Sequence, residues 1–400
     1  MTHLRSPARA KGTSAADKQI PVGTKVLLDE AGLQAFLSLL LKIGYTPIGP
    51  KVRDGAVVYE PITSITELPV GIKDEQEGGH YRLSQSPNGS FFDYTVGPTS
   101  WKKYLFPPVH KMWSAEKQGG AFKVIKDKKE EPAYAFIGVR SCELNAIHIQ
   151  DKVFGFDRAD HCEKGIFSDP GYVARRSKSL IIAVNCGRAN KTCFCTSMGG
   201  SPHVTEGQGY DLALTELHSS SHHEFIVEVG SERGALILDL LPYKPVTHSH
   251  VSAEQAQERK ARHDITRKMP DDVKTVLKKN IEHPRWDSVA DRCLSCANCT
   301  MVCPTCFCST VEERTDLTGD HSERWRMWDS CFSIDFSYIH GGAIRSETKS
   351  RYRQWMTHKL SNWHDQFNSS GCVGCGRCIT WCPVGIDITE EAQVIKRTGK

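Results

Sequence analysis

Residues 293–304 read Cys293-Leu-Ser-Cys296-Ala-Asn-Cys299-Thr-Met-Val-Cys303-Pro304, and residues 372–383 read Cys372-Val-Gly-Cys375-Gly-Arg-Cys378-Ile-Thr-Trp-Cys382-Pro383. Both stretches follow one pattern, in which three cysteines are separated by two residues each and a fourth cysteine, three residues later, is followed by proline. Thiolate sulfurs are strong metal ligands, so a repeated spacing of this kind constrains the local fold. These two cysteine runs therefore organise the C-terminal part of the chain.

The spacing C-x2-C-x2-C-x3-C-P is typical of domains that hold two [4Fe–4S] clusters. The first three cysteines wrap a tight loop around one cluster, whereas the fourth cysteine ligates the other cluster. A zinc site needs four ligands in one tetrahedron and does not require this spacing twice. Disulfide frameworks belong to small secreted domains. The runs therefore predict one cluster bound by Cys293, Cys296, Cys299 and Cys382, and a second bound by Cys372, Cys375, Cys378 and Cys303.

The composition is that of an ordinary globular protein with room for two or three domains. The 400 residues are 39% hydrophobic and 24% charged. The 51 basic and 47 acidic residues nearly balance, so charge gives no reason to expect nucleic acid as a partner. Sixteen cysteines, together with the two cluster motifs, indicate a reducing compartment.

The sequence contains no segment that predicts secretion or membrane insertion. Residues 1–20 are polar and without period, so we expect a disordered N-terminus rather than a secretory signal. The longest apolar run lies around residues 36–41 and is too short to cross a bilayer. We therefore expect a cytoplasmic protein with no direct membrane insertion.

Residues 21–245 are predicted to form an α/β domain. Tyr134–Val139 and Leu180–Val184 are apolar strands about one helix apart, which indicates a parallel βαβ unit. Ligands in such sheets collect at the carboxyl ends of the strands. A cysteine follows each of these two strands, Cys142 after the first and Cys186 after the second.

These two thiols and the nearby Cys193 and Cys195 form a candidate third cluster site. Because the carboxyl ends of parallel strands lie at one edge of a sheet, the four thiols could meet there. The alternative is that they are buried free cysteines, since C-x-C is not a diagnostic spacing. Both interpretations stay open from the residues alone. We interpret Cys162 as unligated.

The sequence lacks a recognisable nucleotide site. The glycine-rich stretch at residues 199–209 does not match G-x-G-x-x-G after a strand, and no Walker A motif is present. We therefore predict no catalytic residues and no cofactor beyond the clusters. The sequence thus offers metal centres but no evident hydride donor or acceptor.

Residues 246–290 are predicted to be a helical connector, and residues 291–400 a mainly helical, ferredoxin-like dicluster domain. The two runs are separated by residues 304–371, a 68-residue insert that we expect to be largely helical. This expectation rests on apolar residues at helical spacing, namely Met356, Leu360, Trp363 and Phe367. Three further cysteines lie in the insert, and their roles stay open between docking, an extra centre and packing: Cys306, Cys308 and Cys331.

Six segments carry a resemblance to a known family. They are Gly44-Tyr-Thr-Pro-Ile-Gly-Pro, Gly138-Val-Arg-Ser-Cys-Glu-Leu, Cys193-Phe-Cys-Thr-Ser-Met-Gly, Cys303-Pro-Thr-Cys-Phe-Cys, Trp328-Asp-Ser-Cys and Cys372-Val-Gly-Cys-Gly-Arg-Cys. With these segments the chain resembles the β subunit of cytoplasmic NAD(P)-linked [NiFe] hydrogenases, also called sulfhydrogenases. It is also similar to the A subunit of anaerobic sulfite reductase. One departure is Glu143, where relatives usually have aspartate.

The resemblance implies an electron-transfer role within a multi-subunit complex. In such complexes a flavin subunit handles NAD(P)H, and separate small and large subunits carry the [NiFe] site. This chain would then relay electrons between them. The alternative is the equivalent relay subunit of an anaerobic sulfite or polysulfide reductase. A third possibility, a scaffold whose clusters only hold the fold together, is disfavoured because two adjacent clusters exceed what structure requires.

Overall fold

The computed structural model describes residues 20–125, 130–156, 168–218 and 222–399. The expected disorder of the N-terminus, except at Ile20, and the interpretation of Cys162 lie outside these residues. The strands in the described part are β1 (Lys25–Asp29), β2 (Thr46–Arg53), β3 (Ala56–Pro61), β4 (Ile72–Glu77), β5 (His80–Gln85), β6 (Val109–Gln118), β7 (Ala121–Ile125), β8 (Tyr134–Val139), β9 (Leu180–Val184), β10 (Leu212–His218), β11 (His223–Val229), β12 (Lys244–Pro245), β13 (Ser309–Thr315), β14 (His321–Trp328), β15 (Tyr338–Ile339) and β16 (Gly342–Ala343).

The α-helices in the same part of the chain are α1 (Glu30–Lys42), α2 (Lys102–Leu105), α3 (Ser141–Phe154), α4 (Pro170–Lys178), α5 (Glu232–Leu238), α6 (His248–Asp264), α7 (Val273–Lys279), α8 (Arg285–Ala290), α9 (Asn298–Met301), α10 (Thr348–Thr357), α11 (Trp363–Phe367), α12 (Arg377–Thr380) and α13 (Ile388–Thr398). A π-helical turn, His358–Asn362, joins α10 directly to α11. None of the described helices is long and apolar enough to cross a membrane.

The N-terminal part is built on an eight-stranded mixed sheet with the order β12-β1-β11-β10-β9-β8-β2-β3. The four central strands, β10, β9, β8 and β2, are parallel to one another. The apolar segments Tyr134–Val139 and Leu180–Val184 are adjacent strands of this sheet, with Ala135 opposite Leu180. The predicted parallel pair is therefore confirmed, and Cys142 and Cys186 follow its carboxyl ends at one edge.

Successive side chains of these strands point to opposite faces of the sheet and therefore pack into two separate cores. Ala135 and Ile137 pack with helices α1 and α5 on one face of the sheet. Phe136 and Val139 pack on the other face with α2, α3 and α4. A sheet covered by helices on both faces explains why its central strands are apolar throughout.

The structure differs at three places from what local sequence patterns alone indicate. Apolar residues follow helical spacing from Leu33 onward, but residues 25–29 form strand β1. Helix α1 begins after Asp29, which caps it by accepting a hydrogen bond of 2.9 Å from the Gly32 amide. The aromatic segment 91–94 is not a strand. Instead, the Phe91 and Phe92 amides donate to the buried carboxylate of Glu216.

The third difference concerns the insert between the cysteine runs. Its second half is helical, as predicted, but its first half contains the β13–β14 hairpin. The hairpin joins β6 and β7 of the N-terminal part in a four-stranded sheet, in the order β13-β14-β6-β7. Buried and exposed residues do not alternate along β14, because all eight of its residues are half-buried. The pairing partner, β6, lies about 200 residues earlier in the chain.

Helices α7, α8, α10 and α13 enclose a separate apolar core around the cysteine runs. The largest side chains in it are Trp286, Phe332, Tyr352 and Trp355, all buried. Cysteines of both runs pack against this core, as does Phe194 from the N-terminal part. The C-terminal part is thus a mainly helical unit that packs tightly against the edge of the large sheet.

Candidate iron–sulfur sites

The first candidate site is a largely apolar cavity in the C-terminal part. Four thiols that the spacing assigned to one cluster line it together: Cys293, Cys296, Cys299 and Cys382. The fourth comes from the other cysteine run, about 80 residues away in sequence. The remaining wall is apolar and includes Phe332, Tyr352, Trp355, Ile386 and Ile388.

The loop that carries three of these thiols has an unusual backbone. Ser295 and Ala297 both have positive φ, 52° and 66°, which turns the chain sharply between successive cysteines. Two backbone amides point at sulfur in this region, Ser295 N–H toward Cys293 Sγ at 3.5 Å and Ile386 N–H toward Cys382 Sγ at 3.3 Å. Amides aimed at sulfur stabilise a thiolate, which is the form that binds iron.

The second candidate set is more deeply enclosed. The thiols of Cys372, Cys375, Cys378 and Cys303 are close enough to interact electrostatically, the first three with Cys303. Burial raises the pKa of Cys372 to about 12. Buried thiolates that repel one another require a cation, so these four sulfurs suit a metal centre better than four free thiols.

A buried lysine stands beside the second set. Lys359 Nζ lies 3.4 Å from Cys303 Sγ, 2.9 Å from Thr305 Oγ1 and 3.1 Å from the Gly371 carbonyl oxygen. Lys359 belongs to the π-helical turn His358–Asn362, and this turn directs its side chain toward the cysteines. The signal for Lys359 in the sequence is its position on the apolar stripe formed by Met356, Leu360 and Trp363.

The four thiols of the candidate third site line one cavity. They are Cys142, Cys186, Cys193 and Cys195, and Cys375 of the second set lines the same cavity. Burial raises the pKa of Cys193 well above its normal range. The structure therefore brings together the four residues that the strand ends predicted, and adds a fifth thiol from the C-terminal part.

Two arginines also line this third cavity. The Arg140 side chain is buried and donates to the carbonyl oxygens of Asn185 at 3.0 Å and Phe92 at 2.8 Å. Arg188 pairs with Asp74 and Asp93 at 2.5 and 3.0 Å. A guanidinium in the wall favours an anionic occupant, and a cluster with four thiolate ligands is an anion.

Close backbone contact joins the second set to the third. The Phe194 amide donates to the Gly374 carbonyl oxygen at 2.9 Å. A Cβ on Gly374 would lie 2.6 Å from Cys195 Cα, and one on Gly376 would lie 2.4 Å from the Thr192 carbonyl oxygen. Both glycines also have positive φ. The glycines of this run therefore allow the Cys193–Cys195 loop to approach, a role that is visible only in the structure.

Shared thiols arrange the three sites in a row. Cys378 of the second set lines the first cavity, and Cys375 of the second set lines the third. Among the described residues, no group of three or more His, Cys, Asp or Glu side chains could hold a single metal ion. The thiols instead surround cavities, and a cubane cluster, which has an iron at four separate corners, needs ligands that enclose a volume.

The three other cysteines of the insert lie near the first and second sets. Cys306 is hydrogen bonded to Cys303, and Cys308 to Cys331. None of the three lines either thiol-rich cavity. Lys102, another buried lysine, donates to the Cys306 carbonyl oxygen at 3.1 Å and lies 3.9 Å from the centroid of the Trp328 ring.

Comparison with known proteins agrees with this geometry. Residues 292–386 match the family model described as a 4Fe-4S dicluster domain. Over 367 residues, which are 90% of this chain and 95% of the relative, the sequence is 28% identical to Sulfhydrogenase 2 subunit beta of Pyrococcus furiosus. No solved structure matches the chain.

The fold and the paired cysteine runs thus define an iron–sulfur protein whose C-terminal part is a 4Fe-4S dicluster domain. Within that class, the resemblance to a sulfhydrogenase beta subunit is confirmed, since the match extends over nearly the whole of both chains.

Proposed function

We propose that this chain is an iron–sulfur subunit that relays electrons between a flavin subunit that oxidises or reduces NAD(P)H and the small and large subunits of a [NiFe] hydrogenase. One observation carries the proposal. Cys382 lines the same cavity as Cys293, Cys296 and Cys299, so the two cysteine runs interlock as paired clusters require.

In this proposal two [4Fe–4S] clusters have the ligands that the spacing assigns, and a third is held by Cys142, Cys186, Cys193 and Cys195. Each bound cluster supplies one-electron chemistry. The chain's own residues keep the sulfurs in place, exclude water with the apolar wall around Trp355, and supply positive charge at Lys359 and Arg140.

The sites lie at different depths in the chain, so the proposed relay has one end at the surface and one in the interior. Cys296 is exposed, and its neighbour Leu294 is 63% exposed, whereas Cys142, Cys195 and Cys375 are buried. The first site therefore faces the surface of the chain, where a partner's redox centre could approach. The third site lies against the large sheet and would pass electrons toward a different partner.

The name of the P. furiosus relative supports assembly with hydrogenase subunits, and the complex is proposed to be cytoplasmic and heteromultimeric. The proposed partners are a flavin/NAD(P)-binding subunit and [NiFe] small and large subunits, with neither nucleic acid nor direct membrane insertion. In the alternative, the same relay would serve an anaerobic sulfite or polysulfide reductase.

Anaerobic purification of the tagged chain from its native cells tests this function. We expect at least eight iron and eight sulfide per chain, as two [4Fe–4S] clusters demand, and co-purification with nickel-containing and flavin-containing subunits. Iron near four per chain would rule out paired clusters. A sirohaem subunit in place of nickel would instead establish the alternative complex, and zinc without sulfide would refute the iron–sulfur interpretation.

A further inference from the structure

The two thiols of Cys308 and Cys331 are in direct contact at the base of the β13–β14 hairpin. Cys308 immediately precedes β13, and Cys331 lies three residues after β14. The Cys308 carbonyl oxygen accepts a 2.9 Å hydrogen bond from the Asp329 amide, which fixes the two chain segments side by side. Both the thiol and the amide of Cys331 donate hydrogen bonds to the Cys308 sulfur.

This thiol pair lies between the first and second candidate sites. Cys331 interacts electrostatically with Cys299 of the first site. On the other side, Cys308 interacts with Cys306, whose thiol is hydrogen bonded to Cys303 of the second site. The contact with Cys331 lowers the pKa of Cys308 to about 7, and the charge of the buried Lys359 acts in the same direction.

The Cys308 and Cys331 sulfurs are close enough to form a hydrogen bond, and disulfide formation requires this proximity. Neither residue lines the two cavities around which the thiols of the first and third candidate sites lie. Both residues are also partly exposed, so protons can reach them from solvent.

We propose that Cys308 and Cys331 form a redox-active dithiol that exchanges electrons with the flanking clusters. In the oxidising direction, the two S–H bonds are lost, one S–S bond forms, two protons go to solvent, and one electron passes to each of the two neighbouring oxidised clusters. In the reducing direction, the S–S bond breaks and the same electrons and protons return. The pair rests on the proposed relay function, because the clusters are its electron acceptors and donors.

The pair would give the relay a two-electron carrier beside one-electron carriers. A dithiol and its disulfide exchange electrons in pairs, whereas each cluster exchanges them singly. NAD(P)H also delivers electrons in pairs. The dithiol could therefore store the second electron of a pair while the clusters pass on the first.

Electron counting on the holoprotein tests the proposal. The anaerobic chain is oxidised with thionine, freed of dye and titrated with Ti(III) citrate, while iron content is measured on the same sample. We expect Cys331→Ser and Cys308→Ser each to take up about two electrons fewer per chain than the wild type. The double variant should lose the same two electrons and no more, because either substitution alone abolishes the disulfide. Iron content should stay unchanged in all of them.

Each other result overturns the proposal in a recognisable way. Equal uptake by wild type and variants, with iron intact, would show that the thiols are inert while leaving the relay function standing. A loss of about four iron together with one electron would show that they ligate a cluster. Iron missing from the wild type would refute the relay function itself. Should the variants not fold, acid quench with N-ethylmaleimide and mass spectrometry of the wild type decides: oxidised protein must contain the 308–331 cross-link, and reduced protein must have both thiols alkylated.

Discussion

The Glu143 carboxylate accepts a hydrogen bond of 2.5 Å from the Arg377 guanidinium, and both side chains are buried. Glu143 follows Cys142 of the third site, and Arg377 lies between Cys375 and Cys378 of the second. The ion pair therefore joins the two sites across the contact between the N-terminal and C-terminal parts.

Breaking this ion pair should destabilise the protein strongly. In Arg377→Met, the Glu143 carboxylate stays buried with hydrogen bonds only to Tyr59, Trp101 and the Arg140 amide. Removing one partner of a buried pair costs about 3–5 kcal/mol, which urea unfolding of the anaerobic holoprotein would measure. The control is Arg53→Met, whose partner Glu60 lies at the surface and whose loss should change the unfolding midpoint far less. Equal effects of the two substitutions would contradict the structural role.

If each cluster takes its fourth ligand from the other cysteine run, a substitution in one run should alter the cluster that the other run binds. Cys382→Ser should alter the EPR signal of the cluster held by Cys293, Cys296 and Cys299, because its sulfur lines that cavity. The matched control is Cys372→Ser, which should alter the other signal. If Cys382→Ser and Cys372→Ser changed the same cluster, each run would bind its own cluster and the crossing would be wrong.

The third site predicts additional iron. Cys193→Ser in the full chain should lower iron by about four per chain, since the cavity that Cys193 lines has three other thiols of the set around it. Cys308→Ser serves as the control and should keep all of its iron. Unchanged iron in Cys193→Ser, with the protein folded by circular dichroism, would mean that these four cysteines are buried free thiols.

Lys359 should raise the reduction potential of the second cluster. Burial alone would lower the pKa of Lys359, but the Cys303 and Cys306 sulfurs outweigh it and raise the pKa, so the side chain stays charged. A positive charge stabilises the more negative, reduced cluster. Lys359→Met should therefore lower the midpoint potential of one EPR signal in a redox titration. Lys349→Met removes a lysine that pairs with Asp287 near the surface, and should leave both potentials unchanged. An unaltered potential in Lys359→Met would limit the residue to a packing role.

His223 should make stability depend on pH. Burial would lower its pKa, but the hydrogen-bonded carboxylates of Glu216 at 2.6 Å and Glu30 at 2.7 Å raise it above 6.5. A raised folded-state pKa means that this contribution is complete below 6.5 and is lost as pH rises through the folded-state value. The unfolding free energy of the wild type should fall over that window more steeply than that of His223→Gln. Parallel pH profiles for the two proteins would argue against a charged imidazole.

The cysteine runs and the strand ends could be predicted from the sequence by itself. The spacing in residues 293–304 and 372–383 is local, and it already implied that Cys382 belongs with the other run. The apolar segments Tyr134–Val139 and Leu180–Val184 coincide with strands β8 and β9, because a fully buried strand must be apolar throughout. Parallel pairing then led to the convergence of Cys142 and Cys186.

Which groups surround those sulfurs depends on the tertiary structure. Nothing near Lys359 in sequence shows that a π-helical turn aims its ammonium at Cys303, or that Gly374 leaves space for the Cys195 backbone. The insert was expected to be largely helical, and the β13–β14 hairpin within it was missed because its partner, β6, lies about 200 residues away. Periodicity reports which residues of a segment share a face, whereas hydrogen-bond partners and charge neighbours between distant segments follow from how the whole chain packs.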